Sequence, residues 1–104
     1  MHKVYIFYPN APGLRFDMAY YCDKHMPMVR DRLGANCSGF TVDAGLAGGA
    51  PGSAAPYVAV GALMVDSLAA FGAAMAAHGA EIMGDVPNYT DATPTLLISE
   101  VKVG

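Results

Sequence analysis

Two stretches of this chain are apolar on both faces at once. His-Lys-Val-Tyr-Ile-Phe-Tyr at residues 2–8 and Tyr-Val-Ala-Val-Gly-Ala-Leu-Met-Val at 57–65 are rich in β-branched and aromatic residues, the composition of strands. Successive side chains on a strand point to opposite faces, so Val4 and Ile6 share one face while Tyr5 and Phe7 share the other. In the later stretch Val58, Val60 and Met64 oppose Tyr57, Leu63 and Val65. An antiparallel sheet with one wet face alternates apolar with polar residues. Here neither face is polar. Two helices can cover one side of such a sheet, and only another sheet can cover the other, so the pattern predicts a homodimer.

The rest of the chain supplies the other elements. Asp17 is placed to cap a helix running towards Leu33, with Gly34 just past its end. Pro27 lies inside that helix, removes one backbone donor and crowds the carbonyl of Asp23, which predicts a kink near His25 to Pro27. Residues 38–46 form a weaker strand. Ser67 caps a helix over 68–78, which Gly79 ends or loosens. Residues 85–94 read as a polar loop and 95–103 as a last strand. Gly45 to Pro56, rich in Gly and Pro, links the second and third strands. The order β-α-β-β-α-β predicts an α+β, ferredoxin-like fold with a four-stranded antiparallel sheet, a single domain over residues 1–104.

Bulk composition narrows the setting. The chain has 104 residues, 54% hydrophobic and 14% charged, against roughly 45–50% and 25% in ordinary globular domains. That excess needs a membrane or a partner. No stretch approaches the ~20 consecutive apolar residues of a spanning helix, and Met1-His2-Lys3 leads straight into a strand without a signal-like apolar core. Two cysteines, Cys22 and Cys37, give no disulfide framework. These features lead us to expect a cytoplasmic protein with no membrane association. A net charge of −3 without any basic run argues against nucleic acid.

Histidine is the side chain that titrates near neutrality without help. His78 falls in the helical stripe of Leu68, Phe71, Met75 and Ile82 and is expected to face the sheet. His25 lies at the edge of the stripe of Cys22, Met26, Val29 and Leu33, on the side of Tyr21. Either imidazole can serve as general acid or base, or can simply be a packed histidine satisfied by a carbonyl or a tyrosine. Cys22 with His25, and His78 with Glu81, have the i,i+3 spacing of metal ligands, but a packed thiol and a solvated carboxylate explain them better, so no metal is expected. The glycine-rich loop lacks the ending of a phosphate-binding loop and the spacing of a dinucleotide fingerprint or a nucleophile elbow, and no cofactor is expected. The run Asp85-Val-Pro-Asn88-Tyr89-Thr90-Asp91 offers Asn88, Tyr89 and Asp91 as donors and acceptors, or as a turn held by its own side chains.

Tyr8-Pro9, Phe16-Asp17, Tyr20-Tyr21 and His25-Met26-Pro27 resemble the opening of EthD-type proteins. The resemblance continues through Gly45-Leu46, Gly48-Gly49, Pro51-Gly52, Pro56-Tyr57, His78-Gly79 and Val86-Pro87-Asn88-Tyr89-Thr90-Asp91 to Ile98-Ser99-Glu100-Val101. That family is associated with degradation of ethyl tert-butyl ether and belongs to the dimeric α+β barrel superfamily. The resemblance implies a homodimer whose two sheets close face to face. It also implies a cavity between helices and sheet for a small hydrophobic or aromatic ligand. Superfamily relatives include cofactor-independent monooxygenases, lactone isomerases and polyketide cyclases. The expectation is therefore an enzyme of oxidoreductase (monooxygenase-like) or isomerase/cyclase type. His25 or His78 would be its acid/base, and Tyr21, Asn88, Tyr89 and Asp91 would bind substrate. The alternative is a non-catalytic accessory or carrier protein partnering an oxygenase.

Overall fold

The computed structural model describes all 104 residues. Its elements are β1 (His2–Pro9), α1 (Met18–Tyr20), a π-helical turn (Tyr21–His25), α2 (Met26–Leu33), a 3-10 turn (Gly34–Asn36), β2 (Cys37–Ala44), β3 (Tyr57–Val65), α3 (Leu68–Asp85), a second 3-10 turn (Val86–Asn88) and β4 (Thr95–Glu100). The four strands form one antiparallel sheet in the order β2-β3-β1-β4. Since α1, the π turn and α2 run on as one helical segment, the order is the expected β-α-β-β-α-β. No helix is long and apolar enough to cross a membrane.

Local chemistry accounts for most boundaries. The Asp17 carboxylate accepts from the Tyr20 amide at 3.1 Å, and the Ser67 hydroxyl accepts from the Ala70 amide at 3.0 Å, so both expected caps form. The kink expected around Pro27 takes the form of the π turn, in which the Met26 amide reaches back five residues to the Tyr21 carbonyl. Proline has no amide to give the Asp23 carbonyl, so the ladder loosens just ahead of it. Several boundaries differ from the sequence reading. The helix α3 does not stop at His78 but runs on through Gly79 to Asp85. A helical glycine costs only about 1 kcal/mol relative to alanine, and Ala80, Glu81, Ile82 and Met83 carry the helix past it. The last strand ends at Glu100 and not at residue 103, because its partner β1 begins at His2, opposite Glu100. Likewise β2 spans Cys37–Ala44, one residue earlier and two shorter at its end than expected.

Register fixes the faces. Val4, Ile6 and Tyr8 of β1 stand opposite Leu63, Gly61 and Ala59 of β3, and Val4 and Ile6 stand opposite Ile98 and Leu96 of β4. Val4, Tyr8, Ala59 and Leu63 join the buried core with Met26, Val29 and Leu33 of α2 and Phe71 and Ile82 of α3, so this is the helix-covered face. On the other face Tyr5 and Phe7 stack at 5.8 Å, and Phe7 meets Tyr57 at 5.1 Å; a register shift between Tyr8 and Pro9 breaks the alternation and moves Tyr57 off the face of Leu63 on which strict alternation put it. Nothing in the chain covers that face. The edge strand β4 is bare on both sides, with Leu96, Leu97 and Ile98 each about half exposed.

Candidate functional site

Where α2, α3 and the sheet converge, four aromatic rings pack against one another, three of them buried and Phe16 partly so. Tyr8 comes from the end of β1, Phe16 from the segment before α1, Tyr21 from the π turn and Tyr89 from the segment after α3. Tyr8, Phe16 and Tyr21 meet edge-on with centroids 5.1–5.3 Å apart, and Tyr89 packs against all three at 5.1–6.0 Å. Such pairs contribute roughly 0.5–1.5 kcal/mol each beyond their buried area. Backbone stitching holds Tyr89 in place. The Asp17 amide donates to the Tyr89 carbonyl at 2.7 Å, and Phe16 bridges Thr90 as a short antiparallel pair. The Thr90 hydroxyl donates to the Arg15 carbonyl at 2.8 Å, and the Asp91 carboxylate accepts from the Arg15 amide at 3.1 Å.

Beside these rings lies His25, 3% exposed, with its imidazole centroid 4.7 Å from that of Tyr89. Its Nδ1 is 2.8 Å from Asp85 Oδ2 at the end of α3. The other carboxylate oxygen, Oδ1, accepts from the Tyr20 hydroxyl at 2.7 Å and from the Asn88 side-chain amide at 2.9 Å. Burial would raise the Asp85 pKa, but the Tyr20, His25 and Asn88 donors outweigh it and hold the carboxyl below its ordinary range. Burial likewise lowers the His25 pKa more than Asp85 raises it. The consistent state is a neutral imidazole that donates from Nδ1 to an ionised Asp85. Its Nε2 then carries a free lone pair, and no protein group hydrogen-bonds it.

His25 lines a small cavity of about 40 Å³, bounded by Val4, Ile6, Tyr8 and Leu96 from the sheet and by Tyr21, Met26, Phe71 and Ile82 from the helices. Exposed Met83 and Leu96 are among its lining residues. A single water needs roughly 10–15 Å³ of such space, so the enclosed part holds a few waters or a small group; a whole organic ligand must extend past the rim. The Tyr21 hydroxyl is the one buried side-chain polar atom with no hydrogen-bond partner. It lies against Gly61, where any Cβ would overlap it. Burial pushes the Tyr21 and Tyr89 hydroxyls above their ordinary pKa, so both stay protonated. Tyr8 and Tyr89 share a hydrogen bond of 2.6 Å.

Of the residues singled out in the sequence, His25, Tyr21, Tyr89 and Asn88 converge here. Asp91 stands at the surface and anchors the Arg15 backbone. His78 is half-buried, lines neither the cavity nor the cleft beside Asp85, and its side chain makes no hydrogen bond. The candidate metal pairs are otherwise engaged, since His25 is held by Asp85 and Glu81 by Arg32 through two bonds of 2.7 and 2.9 Å. Asp85 and Tyr8 were not recognised from sequence. Ending α3 at His78 put Asp85 in a loop, although Ile82, one turn before it, already continued the apolar stripe of Phe71 and Met75.

Residues 14–93 match the model of the EthD domain. An EthD-like protein from Ralstonia eutropha JMP134 has 56% sequence identity and a TM-score of 0.94, covering 98% of this chain and 92% of its own. An EthD family protein from Bacillus halodurans C-125 has 19% identity and a TM-score of 0.65, covering 97% of this chain and 98% of its own. HapK from Hahella chejuensis shares the fold at 18% identity and a TM-score of 0.56, covering 100% of this chain and 96% of its own. No functionally curated protein matches.

Proposed function

This chain belongs to the EthD family, and from that premise we propose that it is a homodimeric enzyme acting on a small hydrophobic organic molecule, with His25 as its general base. The observation that carries this reading is the Asp85–His25 pair at the wall of an apolar cavity. An imidazole fixed through Nδ1 keeps Nε2 without a protein partner in a residue that lines the cavity, and its lowered pKa keeps that lone pair free at neutral pH. The Tyr21 ring lines the same cavity, with its hydroxyl packed against Gly61. Tyr89 packs against the imidazole, and Asn88 holds Asp85. Proton removal next to an oxygen suits isomerase or cyclase chemistry and the activation of a substrate for cofactor-independent oxidation.

The uncovered sheet face supports the dimer. Tyr5, Phe7 and Tyr57 on that face, with Leu97 on the adjoining edge strand, form an apolar surface of the kind proteins cover with a partner. The test of function is a thermal-shift screen of small lactones, quinones and ethers against the wild type and His25→Gln, followed by turnover assays on every binder. His25→Gln should fold and lose at least about a hundredfold in turnover. Full activity in that variant would overturn the reading. Saturable binding without turnover in the wild type would mark the protein as a carrier.

A further inference from the structure

Asp85 separates two unlike spaces. Its Oδ2 meets His25, whose ring faces the apolar cavity, while Oδ1 meets Tyr20 and Asn88 on the other side. There a polar cleft of about 330 Å³ is lined by Tyr20, Lys24, Met28, Glu81, Gly84, Asp85 and Asn88. The Asp85 side chain is 18% exposed, against 4% for that of His25. The carboxylate is thus the one polar group that touches both the buried imidazole and the solvent-filled cleft. The other titratable groups facing His25 are the hydroxyls of Tyr21 and Tyr89, with Tyr8 behind them; all stay protonated, and none leads outward.

We propose that Asp85 is a proton port, through which the Nδ1 proton of His25 equilibrates with water in the polar cleft and not through the mouth of the cavity. The inference rests on the reading of His25 as a base and deepens it, making Asp85 a positioning residue with a second duty. When Nε2 takes a proton from a bound molecule, the imidazolium that results is disfavoured in an apolar setting. Passing the Nδ1 proton to Asp85 Oδ2, and from Asp85 to cleft water, leaves a neutral ring with its proton on Nε2. One proton has then left the cavity for solvent, and no oxidation state has changed. Uptake of a proton at Nδ1 from the cleft through Asp85, followed by return of the Nε2 proton to the product, restores the starting tautomer. The aspartate of a serine-protease triad is buried and holds its histidine without taking the proton. Asp85 differs in that its second oxygen opens on water.

The route can be measured without substrate, so its failure is distinguishable from failure of the base assignment. In protein labelled with ¹⁵N-histidine, the exchange of the His25 Nδ1 proton with water is followed by NMR. Asp85→Asn can still accept the hydrogen bond but cannot carry the proton, and should slow exchange at least about tenfold. Tyr20→Phe removes a donor that holds the carboxylate ionised, makes it more basic and should quicken exchange. Leu96→Trp narrows the cavity mouth and should leave exchange unchanged. Slowed exchange in Leu96→Trp with no change in Tyr20→Phe would overturn the proposal, and those two variants decide the matter even if Asp85→Asn does not fold.

Discussion

Tyr21 and Gly61 show how a single missing side chain seats a functional residue. Gly61 stands in the middle of β3 on the helix-covered face, and the space a Cβ would take is filled by the Tyr21 hydroxyl and, at 3.3 Å, by the Met26 methyl. Gly61→Ala should therefore cost about 1–3 kcal/mol by overpacking. Tyr21→Phe removes a buried hydroxyl that has no partner, and should be neutral or stabilising, since an unsatisfied group costs about 1–3 kcal/mol. Denaturant melts of the two single variants and the double should show the double less destabilised than their sum. Strict additivity would mean that the ring does not sit where we place it. The same logic explains what could be read at this scale. Tyr21, His25 and Tyr89 stood out because their chemistry is specific. A glycine in an apolar strand signals close approach, yet nothing local says which residue approaches, so Gly61 and its contact with Tyr21 were not legible.

At the scale of elements, capping and hydrophobic pattern determined the order of strands and helices, and Asp17, Ser67 and Pro27 act as their chemistry dictates. The exception is instructive. Gly79 reads as a stop signal, but a helix with a good former on either side tolerates it, and the two further turns to Asp85 carry the carboxylate to His25. An error of seven residues in one helix end was enough to hide half of the dyad. Continuity of α3 makes a clear prediction. A Cβ at Gly79 meets only the Met75 methyl at 3.9 Å, and one at Gly72 meets nothing within 4 Å. Each glycine-to-alanine change should stabilise the protein by about 0.5–1 kcal/mol, read as a rise in melting temperature. A fall for Gly79→Ala would mean that the helix breaks there.

For the molecule as a whole, one observation from the first strands persists into three dimensions: the sheet is covered on one face only. Only 19 of 104 residues are buried, and β4 leaves Leu96, Leu97 and Ile98 half exposed. Sedimentation at micromolar concentration should show a dimer, which Phe7→Glu should shift to monomer by placing a charge in a desolvated interface. The functional account depends more narrowly on the state of His25. Burial lowers its pKa from the ordinary 6.5. Protons bind the unfolded chain more readily than the native one just below that pH, so this group stabilises the fold fully above 6.5 and progressively less as pH falls through the native pKa. His25→Gln should remove that part of the acid sensitivity. The most direct test is a pH titration of the ¹⁵N shifts of the His25 ring. A neutral imidazole at pH 7 with its proton on Nδ1, becoming charged only below pH 6.5, is the predicted result. A ring already charged at pH 7, or one with its proton on Nε2, would contradict the account.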